Sequence, residues 1–136
     1  MTAAKSLGLL LTCLVFVADR AWAADALEPP DVVSVLSKVL RDIPGKEMLM
    51  MTVEYPPGGG DPVHRHDAHA FVYVLEGLII MQVEGGEPVK LSPGQTFYEG
   101  PDDVHTVGRN ASDTESAKFL VVLLKDTGVA PLLPVN

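Results

Sequence analysis

His64-Arg65-His66 stands just before the apolar run Ala70-Phe71-Val72-Tyr73-Val74-Leu75, and His105 follows downstream. On a strand, residues i and i+2 point to one face, about 7 Å apart. Two imidazoles so placed can converge on one metal ion. A third from a neighbouring strand would complete a facial half-shell and leave positions open for water or substrate. Three of the chain's four histidines fit this scheme. Neutral imidazoles add no charge, so a divalent ion held by three of them keeps its full charge. It is then a strong Lewis acid and lowers the pKa of a bound water. Nitrogen donors favour transition metals, with iron or zinc the first candidates and manganese, nickel and copper also open. The competing reading is a metal-free pocket lined by polar histidines.

The elements that must position these residues are short strands. Met48 to Tyr55 alternates, with Leu49, Met51, Val53 and Tyr55 on one face and Met48, Met50, Thr52 and Glu54 on the other. Pro56-Pro57-Gly58-Gly59-Gly60 ends it. The histidine strand is expected to run from His64 to Leu75. Glu76-Gly77 turns into Leu78 to Glu84, closed by Gly85-Gly86. Val89 to Leu91, Gln95 to Glu99, His105 to Val107 and Ala117 to Lys125 read as further strands between Gly- and Pro-bearing turns. Val32 to Leu40 fits either a helical face or a β-branched strand, and strand is preferred. No amphipathic helix follows Lys46. The fold class is therefore all-β, a small antiparallel sandwich or barrel.

Residues 1–23 read as a signal peptide. Lys5 is the positive start, Leu7 to Ala18 the apolar stretch, and Ala21-Trp22-Ala23 the small-x-small cleavage pattern. Cleavage after Ala23 removes Cys13, the one cysteine, so no thiolate competes with the histidines and no disulfide forms. A periplasmic or secreted protein is expected. Residues 24–45 read as a tether and possible edge strand, 46–125 as the domain, and 126–136 as a tail draped over the barrel or a partner subunit. The net charge of -8 gives no electrostatic footprint for nucleic acid and disfavours anionic membrane surfaces.

The residues 46 to 125 resemble a small single-domain bacterial cupin, a double-stranded β-helix of jelly-roll type. The first cupin motif is carried by Gly58, His64, His66 and Gly77, and the second by Gly94 and His105, at the family spacing. The family's glutamate position falls on Ala70, which cannot ligate anything. In the second motif, the proline and glycine positions hold Gly100 and Asp102, and the asparagine position holds Arg109, beside Asn110. The resemblance implies a metal site of His64, His66 and His105 without the carboxylate, a small-molecule ligand or substrate, and a homodimer. It leaves open an oxygenase-like metalloenzyme or a non-catalytic binding or sensing module. Glu99 shares a face with Gln95 and Phe97. It is a candidate catalytic acid–base or replacement fourth ligand, unless it is only an edge carboxylate. Glu54 has the same status. His69 and Arg65 alternate outward, with Arg65 a surface or dimer-contact charge. Tyr73 and Tyr98 read as packing residues, and Asp102-Asp103 as a solvated turn.

Overall fold

A computed structural model describes residues 26–135. The signal-peptide features Lys5, Leu7 to Ala18 and Ala21-Trp22-Ala23 lie outside the described residues. The described residues form eleven strands and no helix. The first sheet holds β1 (Asp31–Val39), β2 (Lys46–Tyr55), β5 (Ala68–Glu76), β8 (Thr96–Glu99) and β10 (Ala117–Asp126), in the order β1-β2-β10-β5-β8. The second holds β11 (Leu133–Pro134), β4 (His64–Arg65), β9 (His105–Asn110), β6 (Ile79–Val83) and β7 (Val89–Leu91), in the order β11-β4-β9-β6-β7. β3 (Gly60–Asp61) also pairs with β9. Every pairing is antiparallel.

The two sheets face each other through their alternating apolar positions. Ala68, Ala70, Val72 and Val74 point inward from β5, while His69, Phe71, Tyr73 and Leu75 point out. Met51, Val53 and Tyr55 of β2 and Phe119, Val121 and Leu123 of β10 complete one wall. Ile79, Met81 and Leu91 come from the other. This period of two is what a sheet with one buried face requires.

The histidine segment is not the single strand that its alternation suggests. β4 belongs to one sheet and β5 to the other, and the chain crosses between them at Asp67. Asp67 has φ 48°, the one left-handed non-glycine residue among those described. Aspartate tolerates that conformation better than most side chains, so it can serve as the corner. Gly60 likewise pairs with Arg109 rather than only ending β2. Tyr73 and Tyr98, read as packing residues, lie on the outer face at 46% and 50% exposure, where Tyr98 packs against Phe71 and His69.

β1 is an edge strand paired to β2, with a bulge between Ser34 and Leu36. All nine of its residues are exposed. At the other end of the chain, β11 adds to β4 through Leu133–Arg65 and Pro134–His64. A buried lysine anchors this tail. Lys125 pairs with Glu47 and donates to the carbonyls of Val129 and of Asp126.

Candidate metal centre

His64 and His105 are direct partners across the β4–β9 ladder, and His66 sits in the corner before Asp67. All three are buried, His64 at 2% and His105 at 3% exposure. The His64 ring lies 4.7 Å from that of His66 and 4.8 Å from that of His105, centre to centre. One nitrogen from each lies within 4.8 Å of the other two. The spacing of His64 and His66 brings them together as expected, although a corner and not one strand does so.

Backbone carbonyls fix how two of these rings present themselves. His64 Nδ1 donates to the Pro62 carbonyl at 2.8 Å, and His66 Nδ1 donates to the Pro131 carbonyl at 2.6 Å. A neutral ring with its proton on Nδ1 has a bare lone pair on Nε2. The two Nε2 atoms then face each other 3.3 Å apart with no proton to share. Such a contact is repulsive unless a cation sits between the lone pairs. His105 adds two ring nitrogens without a hydrogen-bond partner. A buried donor set of this kind fits a transition-metal ion, and the carbonyls behind Nδ1 are the usual way of orienting metal-binding imidazoles.

Glu99 lies on β8 directly opposite Ala70. Paired residues share a face, so the small side chain at 70 leaves room for the carboxyl at 99. Glu99 is 2% exposed, with Oε1 at 3.4 Å from His105 Nδ1 and Oε2 at 3.6 Å from His66 Nε2. Its Oε2 has no hydrogen-bond partner. Burial, with the charges of Asp103 and Asp61 behind it, pushes its pKa up to about 7. Burial pulls His105 down to about 4, helped by His64, and it lowers His66 as well. The other carboxylate considered, Glu54, stays at the surface beside Lys118, 3.4 Å away. His69 faces outward and meets the Tyr98 hydroxyl at 2.8 Å.

The sequence assigned no role at the site to several of its residues. Tyr55, fully buried, donates to Asp61 at 2.5 Å. Burial, then the Asp61 charge, raises the Tyr55 pKa, and burial raises that of Asp61 too. Alternation along β2 puts Tyr55 on one face with Leu49, Met51 and Val53, but nothing marks Asp61 as its partner. Gly108 has no room for a side chain, because a Cβ there would lie 2.8 Å from both His105 Cε1 and the Tyr55 hydroxyl. Asn110 is 1% exposed, and its amide donates to the carbonyls of Tyr55, Pro56 and Glu115. It therefore braces the strand carrying His105. Asp103 caps its own turn by accepting from Gly100 N–H at 2.6 Å.

A cavity of about 170 Å³ opens between the sheets, with the three histidines, Glu99, Tyr55 and Asp61 in its lining. Pro131 and Leu132 of the tail and Val32 of β1 lie at its rim. The tail thus both covers the site and supplies the carbonyl that holds His66.

The sequence profile of the cupin domain family matches residues 51–123. No curated protein matches the chain. Among solved structures, the chain is similar to the DMSP lyase DddQ from Ruegeria pomeroyi DSS-3, at 27% identity and a TM-score of 0.56 over 63% of this chain and 42% of that one. It is similar to an uncharacterized conserved protein with a double-stranded β-helix domain from Klebsiella pneumoniae, at 18% identity and a TM-score of 0.62, covering 79% of this chain and 86% of that one. An oxalate oxidase in complex with the substrate analogue glycolate aligns at 23% identity and a TM-score of 0.50, over 57% of this chain and 42% of that one. The last two likenesses speak to the fold alone. The chain spans 42% of the length of the lyase and of the oxidase.

Proposed function

The chain belongs to the cupin domain family, and on that premise we propose that it is a metal-dependent enzyme acting on a small molecule inside the barrel. The observation that carries this reading is the pair of lone-pair-bearing Nε2 atoms of His64 and His66, 3.3 Å apart beside the unpartnered ring of His105. These three residues would hold one divalent transition metal ion, iron or zinc before manganese, nickel or copper. Such an ion supplies Lewis acidity to an oxygen atom of substrate or water. Glu99 would act beside it as the general acid–base, because its buried carboxyl faces the same cavity within 3.6 Å of the His66 and His105 rings. Proton transfer and dioxygen chemistry would use the same three ligands, and a titrating carboxyl in the cavity favours proton transfer. A non-catalytic binding module would use that carboxyl only as a fourth ligand. The 27% likeness to a DMSP lyase supports small-molecule chemistry without transferring that reaction to this chain. Export to the periplasm or beyond, with cleavage after Ala23, and assembly as a homodimer belong to the same proposal.

Cobalt(II) tests it through visible absorption. Added to the purified protein, it should give bands that saturate near one equivalent and that His64→Ala abolishes. Those bands should shift with pH, with a midpoint at or below 7 because a nearby cation favours the carboxylate. Glu99→Gln should keep the cobalt and lose the step. Loss of cobalt in Glu99→Gln would make Glu99 a ligand instead. Unchanged titration in that variant would remove it from acid–base work.

A further inference from the structure

The cavity is divided by chemistry. Its polar groups are His64, His66 and His105, the carboxyls of Glu99 and Asp61, and the Tyr55 hydroxyl. All six line the same cavity, and the Tyr55 hydroxyl donates to Asp61. These groups therefore form one cluster. The remaining wall is apolar, built mainly by Met51 and Val53 of β2 and by Phe119 and Val121 of β10. Among the described residues, no lysine or arginine lines the cavity.

We infer that this cavity takes a small monoanionic carboxylate with a short, uncharged hydrocarbon body. The inference rests on the three-histidine metal reading and adds the ligand class. Phosphates and other multiply charged anions need several cationic or N–H donors, whereas this wall offers two carboxyls. Sugars need polar partners along their whole length, and Met51, Val53, Phe119 and Val121 offer none. One negative head offsets part of the charge of a divalent ion held by three neutral imidazoles. The apolar wall then receives the body of the ligand and holds it away from water. Size sets the upper limit. An apolar cavity of about 150 Å³ accommodates a six-carbon ring, so about 170 Å³ suits a ligand of six to eight heavy atoms, the size of butyrate to hexanoate.

Isothermal titration of the full-length protein loaded with zinc tests this, using the straight-chain carboxylates from acetate to decanoate. Affinity should rise about fourfold per added methylene and stop rising near hexanoate. Val121→Ala should move that break to a longer chain. γ-Aminobutyrate, a zwitterion of similar length, should bind more weakly than butyrate. A flat series with zinc retained, or tighter binding of the zwitterion, overturns the ligand class and leaves the metal site standing. Failure of the protein to retain zinc, iron or any other ion tested overturns the metal reading and this inference together.

Discussion

Ala70 and Glu99 face each other across the β5–β8 ladder, so the family's carboxylate position is empty on its own strand while a carboxyl arrives from the next. Reading the motif along the chain shows the loss at 70, but only the register between two strands shows the carboxyl of Glu99 beside it. The same carboxyl makes a testable demand on stability. Its pKa is raised from 4.5 to about 7 in the fold, so the native state binds the extra proton. That contribution is fully present below about pH 4.5 and is lost as pH rises through 7. His105 has the opposite sign. Lowered from 6.5 to about 4, it contributes stability above pH 6.5 that is lost as pH falls. In the metal-free parent the two slopes oppose each other. Denaturant unfolding of metal-free Glu99→Gln should show a gain over the parent at pH 7.5, up to about 3 kcal/mol, that vanishes near pH 4.5. A constant difference across that window would mean that the carboxyl is not the titrating group. Gly108→Ala places a methyl 2.8 Å from the His105 ring and the Tyr55 hydroxyl, and neither buried ring can retreat freely. It should cost about 1–3 kcal/mol and weaken metal uptake, measured by unfolding and by metal titration of the same variant.

At the scale of elements, the site is held by pieces remote in sequence. The pairing of His64 with His105 and the hydrogen bond from His66 to Pro131 join β4, β9 and the tail before β11. Removing residues 129–136 takes away the Pro131 carbonyl and the cover over the cavity. Losing an orienting partner of this kind should lower metal affinity about ten- to a hundredfold while the barrel still unfolds cooperatively. Competition with a chromophoric chelator measures the first and circular dichroism the second. Unchanged affinity would reduce the tail to a loose cover. Strand existence was legible because Gly and Pro punctuate the chain at short intervals and the apolar residues alternate between them. The switch of sheets at Asp67 was not, since a period of two continues through His64, His66, Ala68 and Ala70 whether or not the chain turns a corner. The tail was legible only as something that drapes. Its hydrogen bond to His66 depends on a backbone carbonyl, which no side-chain pattern reports.

Among the described residues, β1 has one unpaired edge, and all nine of its residues are exposed. Val32, Val33, Val35, Leu36 and Val39 are all 51–55% exposed there. An apolar edge strand in that state invites a second copy. Sedimentation equilibrium of the mature protein should return twice the monomer mass, and a monomer at micromolar concentration would contradict the proposed dimer. The overall architecture was the most legible feature, because spacing of Gly58, His64, His66, Gly77, Gly94 and His105 encodes the order of turns and strands around the barrel. The cavity was the least legible, because its apolar wall uses residues that any β core would use. Everything proposed for this barrel depends on three buried histidines holding one metal ion. Elemental analysis of the purified protein, beside a His64→Ala/His66→Ala double variant, tests it most directly. Near one equivalent of a transition metal in the parent, lost in the variant, is the predicted result. A parent that stays empty after incubation with iron, zinc, manganese, nickel and copper would contradict it.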